Sequence, residues 1–301
     1  MSLVVLSAAK ERHNSMPGPV RTIDFDAPLG TWQLSSAAPA TDLAGAVLEY
    51  WEVQGTLAPF RETLLPNGAV EIMVNLGPVH EVHSEQGRGL WKDAWISGIQ
   101  ERALTIESLD GTHLVSARLH PLGAVELLGE HVASVANRIT PIEAILGPTS
   151  LALRGQLTEA TSAVERFAIL ETFVRALGPH IGRPVPEFLR RATATIDEMH
   201  GVVRLSELHE EIGMSRRHLS VTFSRYVGLS AKRYAAIRRF MWTLGQLRGQ
   251  TAVDWSKLAA EAGYSDQSHL ARDFRRIGAA TPTEYLRRAT PAADALIDEP
   301  S

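Results

Sequence analysis

Two short runs of the chain place guanidinium, amide, hydroxyl and imidazole groups at helical spacing just behind a capping residue. Arg216, Arg217, Ser220, Ser224 and Arg225 follow Ser215, and Asp266, Gln267, His269, Arg272 and Arg275 follow Ser265. These side-chain types can read base edges in a DNA major groove. Arginine grips guanine O6 and N7 with two parallel hydrogen bonds and glutamine does the same for adenine, each worth ~1–3 kcal/mol of discrimination. Arg217 is the first candidate for a guanine, flanked by Arg216 and Ser220, and Gln267 is the candidate for an adenine. His269 and Arg272 are placed to touch bases or phosphates. Phosphate contacts carry no sequence information, and roughly half of these residues are expected to reach a base.

Such groups need rigid helices beneath them. In Leu205-Ser206-Glu207-Leu208-His209-Glu210-Glu211-Ile212-Gly213-Met214-Ser215, Ser206 can cap a helix whose apolar positions Leu208 and Ile212 lie four apart. Gly213 ends it, because glycine tolerates a left-handed turn. Ser215 caps a second helix that buries Leu219 and Phe223. About fifty residues on, the arrangement recurs. Trp255 to Ala262 forms a helix, Gly263-Tyr264 the turn, Ser265 the cap, and Leu270 and Phe274 the buried face. A repeat of this kind is a signal in its own right. Between the units a capped helix from Ser230 to Arg248 spans roughly 27 Å, a rod able to set two recognition helices near one DNA turn apart. Thr281-Pro282-Thr283-Glu284 reads as a capping box with proline at the first helical position.

The run Gly263-Tyr264-Ser265-Asp266-Gln267-Ser268-His269-Leu270-Ala271-Arg272-Asp273-Phe274-Arg275-Arg276, followed by Thr281-Pro282-Thr283-Glu284-Tyr285, resembles the signature of the AraC/XylS regulators. The first unit fits through Ser215, Leu219, Phe223, Gly228, Ser230, Tyr234 and Arg239. The resemblance covers about residues 188–288 and implies seven helices, two of which read DNA. Two positions depart from the family pattern. His209 stands where a small alanine normally packs on the recognition helix, as Ala259 does in the second unit, so that unit either packs more openly or turns His209 outward. Ala279 stands where the family has glycine, and Gly278 is expected to take the strained turn one residue early.

Upstream, the texture is strand-like from Thr31 to His120. Glu62–Leu65, Pro66-Asn67-Gly68 and Ala69–Leu76 read as a hairpin. Further strands are expected at Ala94–Ile99, Ala103–Ser108 and His113–Leu119, and a helix at about Thr41–Tyr50. From Gly123 the period becomes helical, through Val125, Leu128, Val132 and Val135 and again through Val164, Phe167, Leu170 and Val174. Gly178 to Pro186, with three prolines, is expected to break any helix. Tyr50-Trp51, Leu65 to Ile72 and Leu119 to Ala124 are similar to the N-terminal domains of some AraC-type regulators. That resemblance implies a cupin-like barrel or sandwich that binds a small effector, dimerises, or both. Glu71, Arg118 and His120 are the candidate ligand-binding residues, although Glu71 and Arg118 equally suit the wet face of a sheet. His80 and His83 would fall on opposite faces of a strand, so a solvated loop is the better reading of 80–85 and no metal set is assembled.

The expected fold is therefore α+β: residues 1–20 as a mobile start, 21–177 as a β-rich effector or dimerisation domain with C-terminal helices, 178–187 as a linker, 188–290 as an all-α domain of two helix-turn-helix units joined by a long helix, and 291–301 as a mobile tail. The charge is partitioned in the same way. Residues 188–290 hold 17 basic and 10 acidic residues, whereas the remainder holds 13 and 24, in a chain of net charge −4. A basic module on an acidic body is the footprint of a DNA reader, or else a solvated arginine face. Cysteine is absent, which excludes thiolate metal sites, disulfides and cysteine nucleophiles, including cysteine-dependent methyl acceptors. With no membrane span or leader in the sequence, the expected location is cytoplasmic. The expected function is that of a transcription regulator, preferably an activator, with promoter DNA, RNA polymerase, a small effector and a second copy as partners. No catalytic residues or cofactors are expected. The alternatives are regulation by protein contacts alone and a catalytic cupin fused to a DNA-binding module.

Overall fold

The computed structural model describes residues 16–27, 30–84, 87–108, 111–250, 252–288 and 295–297. Its strands are β1 (Arg21–Ala27), β2 (Gly30–Ala37), β3 (Val47–Leu57), β4 (Phe60–Leu64), β5 (Val70–Asn75), β6 (His80–Ser84), β7 (Gly87–Trp91), β8 (Ala94–Ser97), β9 (Leu104–Ser108), β10 (Thr112–Leu119), β11 (Ile139–Pro141) and β12 (Ala295–Ile297). They form one sheet in the order β1-β2-β3-β10-β5-β8-β11 and another in the order β12-β4-β9-β6-β7, with every pairing antiparallel. Helices α1 (Pro121–Leu128), α2 (His131–Val135), α3 (Ile142–Leu146), α4 (Leu151–Glu159) and α5 (Ala163–Ile181) follow the sheets. Then come α6 (Glu187–Glu198), α7 (Leu205–Ile212), α8 (Arg216–Val227), α9 (Ala231–Leu247), α10 (Trp255–Glu261), α11 (Gln267–Gly278) and α12 (Pro282–Arg288). A β-rich region with helices behind it, then an all-helical region, is the α+β arrangement expected.

Several local expectations are overturned. The Asn67-Gly68 turn does not close a hairpin: β4 pairs with β9 and β12, and β5 pairs with β10 and β8, so the chain changes sheet at the turn. Thr41–Tyr50 is not a helix. Successive hydrogen-bonded turns form instead, the Leu43 amide donating to the Ala40 carbonyl at 3.0 Å and the amides of Ala46 and Val47 to the Leu43 carbonyl at 2.8 Å. The chain then extends as β3, which gains a full ladder from β2 on one side and β10 on the other. Residues 80–84 are a strand and not a solvated loop, because β6 is flanked by β7 and β9. Helix α5 runs through Gly178 and Pro179. A proline one turn from a helix end costs one backbone bond, and Phe167, Leu170 and Val174 already clamp the helix in the core. Val164, expected on that buried face, is exposed.

The two ends of the chain differ in the same way. Residues 1–15, expected to be mobile, lie outside the described residues, while the Gly18 amide donates to the Ala38 carbonyl at 2.8 Å. The tail is not wholly free. Ala295–Ile297 adds β12 to the edge of β4, and Leu296 is buried with Leu65 and Phe240. The rest of 291–301 lies outside the described residues.

The helical region explains its own caps. Leu208, Ile212, Leu219, Phe223, Leu270 and Phe274 are all buried as the spacing requires. Ser215 and Ser230 cap α8 and α9 by accepting from the amides of His218 and Arg233, and Thr281 and Glu284 exchange the two bonds of a capping box. Gly213 closes α7 in the left-handed conformation. Two caps differ from expectation. Helix α7 begins at Leu205 after Arg204, with no side-chain cap from Ser206. Asp266, one residue later than Ser265, caps α11.

The turn after α11 also departs from expectation. Gly278 stays in the helix, where a Cβ would come 2.7 Å from Phe240 Cζ, so glycine is needed for space. Ala279 itself takes the left-handed conformation, at φ 54°. For an L-residue with a Cβ that costs ~1 kcal/mol. Ala279→Gly is therefore expected to stabilise the protein by about that amount, raising the urea midpoint without changing its slope. A loss of stability would mean that the Ala279 methyl packs more than its backbone strains.

The two regions share a core. A single apolar cluster runs from Val132 and Val135 of α2 to Leu219 and Phe223 of α8. A second joins Leu65, before β5, to Phe240, Phe274 and Ile277. The Ala103 amide donates to the Ile277 carbonyl at 2.7 Å, Glu101 pairs with Arg233 at 2.8 Å, and His120 meets Asp197 at 3.0 Å. Both helix-turn-helix units are thus docked against the β-rich region.

Candidate nucleic-acid interface

Helix α9 is the rod on which both units are mounted. Phe223 of α8 packs on Tyr234 with ring centroids 5.6 Å apart, and Phe274 of α11 packs edge-on against Phe240 at 5.0 Å. These anchor points are only about 9 Å apart along the rod. The spacing of the recognition helices is therefore set by how they project from α9 and not by its length. The second unit is further fixed by Asp273, which is buried between Arg239 at 3.1 Å and Arg276 at 2.9 Å. Arg239 also lies over the Tyr264 ring, 4.4 Å from its centre.

On α8, Arg216, Arg217, Ser220 and Arg225 are exposed and Ser224 is half-buried. Arg216 Nε donates to His209 Nε2 at 2.9 Å. That resolves the first departure: His209 is turned against the start of the recognition helix and positions an arginine there. On α11, Gln267, Arg272 and Arg275 are exposed and His269 is half-buried beside the edge of Tyr264. Gln267 Nε2 donates to Ser256 Oγ at 2.6 Å, and Arg272 Nε reaches back to the Ser268 carbonyl at 3.3 Å. Asp266 is committed to its cap. The amide of His269 donates to it at 2.7 Å and holds its carboxyl below the ordinary range.

Val221 was not singled out by its residue type, yet it is 60% exposed and stands four residues from both Arg217 and Arg225. An apolar side chain on such a face can touch a thymine methyl. Valine carries no polar signal, and only its exposure marks it.

Residues 208–288 match the model of a helix-turn-helix domain, and residues 35–141 match that of a domain of unknown function, DUF6597. The helical region is an AraC-type helix-turn-helix domain. The AraC-type module is also similar to the F1 operon positive regulatory protein of Yersinia pestis, 33% identical over 73 residues. That stretch is 24% of this chain and 24% of the relative, so the chain spans about a quarter of the length of the curated relative it matches. Among solved structures, ToxT of Vibrio cholerae aligns over 79% of this chain and 98% of its own, at 10% identity and a TM-score of 0.48. The AraC-like transcriptional activator CuxR aligns over 79% and 90%, at 15% identity and 0.33.

Ahead of the AraC-type module, the three candidate ligand residues do not form one group. Arg118 Nε donates to Glu71 Oε1 at 2.6 Å, with Trp51 Nε1 and Asn67 Nδ2 donating to the same oxygen, and a second nitrogen of Arg118 reaches Glu49. Glu71 and Arg118 therefore satisfy each other. His120 instead caps α1 through Nδ1 and pairs with Asp197 through Nε2. Glu81, His83 and Glu107, which the sequence did not bring together, converge with ligand atoms within 4.8 Å. Arg88 and Arg61 pair with the two carboxylates at 3.4 and 3.6 Å, so the cluster balances its own charge without a cation.

Elsewhere the sheets carry two buried carboxylates of opposite behaviour. Burial works to raise the pKa of Glu52, but hydrogen bonds from His113 and Arg166 prevail and hold it below the usual range. Glu62 has no such help. Enclosure of its carboxyl, on a residue that is itself half-buried, raises its pKa to about 7. The unfolded chain ionises near 4.5, so this contribution to stability is intact below that pH and is lost as pH rises through about 7. Glu62→Gln is expected to remove the slope and to stabilise by about 1–2 kcal/mol near pH 8, discounted for partial solvation. Urea titrations at about pH 5 and 8 check it. Equal pH slopes for the two proteins would place the carboxyl in water.

Proposed function

We propose that the protein is a sequence-specific transcription regulator that reads promoter DNA with α8 and α11 in neighbouring major-groove segments. The observation that carries this reading is the pair of capped helices whose outer faces present Arg216, Arg217, Arg225, Arg272 and Arg275 to solvent while their inner faces are locked onto one rod. Positive side chains on two rigid helices neutralise phosphates and aim donors at base edges. An activating role, with RNA polymerase as partner, is favoured by the similarity of the module to a positive regulatory protein of Yersinia pestis. We assign effector binding, pairing with a second copy, or both, to the β-rich region with α1–α5, residues 21–181, which is joined by 182–186 to the reading domain that begins with α6 at Glu187. No helix among the described residues is long and apolar enough to cross a membrane, and a cytoplasmic site of action fits a DNA reader.

The test is selection of genomic fragments by the purified full chain at a fixed salt concentration of ~150 mM. The expected result is enrichment of one motif with two patches about a helical turn apart. Enrichment without any shared motif would leave a non-specific DNA binder and end the regulator reading.

A further inference from the structure

The two sheets leave two edges unpaired on one side of the β-rich region: β11 ends the first sheet and β7 ends the second. Between these edges lies a cleft of about 290 Å³, lined by Val82, Gly89 and Trp91 on one wall and by Arg138, Ile139 and Pro141 on the other. The walls are largely apolar, and of the two arginines that line the cleft Arg88 is already paired with Glu81 at 3.4 Å. Trp91 stands against Trp95 of the facing sheet with ring centroids 5.7 Å apart. Arg138, at the rim, is exposed and has no acidic partner among the described residues.

A second observation lies beside the cleft, at a residue that does not itself line it. His80 pairs in register with Trp91, and Val82 with Gly89, so His80 shares a sheet face with three of the lining residues. It is 4% exposed, and neither ring nitrogen has a hydrogen-bond partner. Buried polar atoms without a partner are rare, and each calls for a water or a ligand.

We propose that this cleft binds a small aromatic carboxylate, its rings against Trp91 and Ile139, its anionic end on the Arg138 guanidinium, and its inner edge towards His80. The volume suits one or two fused rings, at the small end of ligand pockets. Burial keeps the imidazole of His80 in its neutral form, which offers one donor and one acceptor. Gly89 keeps the floor open: a Cβ there would come 3.1 Å from Trp91 Nε1. The site also has a route to the DNA-reading module. Asn137, beside Arg138, donates to Glu101, and Glu101 holds Arg233 of α9. The inference deepens the effector part of the proposed function and rests on it for its biological meaning, but the binding is measured without DNA.

The experiment is isothermal titration of the full chain with 2-naphthoate, with neutral 2-naphthamide as comparator. Saturable binding of the acid is expected, about tenfold weaker for the amide and for Arg138→Gln, the worth of one charge-assisted contact. Gly89→Leu, which fills the cleft, is expected to abolish it. Near-ultraviolet circular dichroism checks the fold of each variant, and Arg138→Gln stands alone should Gly89→Leu unfold. Undiminished binding by Arg138→Gln, or no binding of the acid at millimolar concentration, would overturn the proposal. Neither result would touch the DNA-reading claim, whose fragment selection uses no ligand.

Discussion

Alanine at both Arg217 and Arg272 is expected to cost the protein its sequence preference while leaving the fold unchanged. Both side chains are exposed on their recognition helices, and among the described residues their one hydrogen bond to the protein is the local bond from Arg272 Nε to the Ser268 carbonyl. Truncation therefore uncovers no core. If each arginine makes a bidentate base contact worth ~1–3 kcal/mol, the double variant should bind its selected motif some 10²–10³-fold more weakly. Its affinity for scrambled DNA should fall much less, through lost phosphate attraction alone. Arg217→Ala by itself should relax the preference at one position of the motif. Lys257→Ala is the contrasting case. Its ammonium is exposed and among the described residues engages only Glu261, at 3.8 Å, so any loss should be small and uniform, with a salt slope shallower by about one. Parallel titrations on motif and scrambled duplexes at several salt concentrations check all three variants. An equal loss on both duplexes for Arg217→Ala would defeat the base-reading claim.

How far the sequence alone leads depends on the range of the interactions involved. Buried pairs such as Leu208 with Ile212 or Leu270 with Phe274 are decided within one or two helical turns and are buried as read, and the caps at Ser215 and Ser230 form as read while those at Ser206 and Ser265 do not. Glycine at 213 and the Thr281–Glu284 box are equally local. Whatever needed a distant partner was illegible. The Asn67-Gly68 turn announces a reversal, but only the competing ladders of β9 and β10 decide that its two flanks join different sheets. The buried positions Leu43, Ala46, Val47 and Tyr50 follow a helical spacing, and β2 and β10 together override it. Nothing near Leu296 foretells that a three-residue tail strand will close the edge of β4. The exposed faces of α8 and α11 are set locally and were visible, except for Val221, which only its exposure marks. The polar residues of the sheets were not. Glu71 and Arg118 look like free charges in sequence and are each other's partners in space, whereas His80 looks like part of a wet loop and is buried.

Asp197→Ala is expected to be the most damaging single change outside the apolar core. Its carboxylate accepts from Tyr234 Oη at 2.8 Å, lies 2.8 Å from Arg238 Nε, and meets His120 Nε2 at 3.0 Å. Tyr234 is buried, and Arg238 and His120 are largely enclosed. Removing the shared acceptor strands a buried hydroxyl and a guanidinium together. Breaking a buried pair costs ~3–5 kcal/mol, and partial solvation here brings the expectation to about 2–4 kcal/mol in urea unfolding. His120→Ala should cost less, since Asp197 keeps its other two partners and only the cap of α1 and one hydrogen bond are lost. The order of the two effects separates a shared hub from a simple bridge between regions, because a bridge would be broken equally from either end. The location of the damage matters as well. His120 opens α1 at the end of β10, while Tyr234 and Arg238 belong to the rod that carries both recognition helices. With the hub intact, any rearrangement of the sheets must move α9 or pay to break these contacts. With Asp197 gone, the helical region is held by apolar packing together with the Glu101–Arg233 pair and the Ala103–Ile277 bond. An Asp197→Ala protein as stable as the wild type, to within about 0.5 kcal/mol, would show that the apolar interface and the Glu101 and Ala103 contacts fix the docking without the hub.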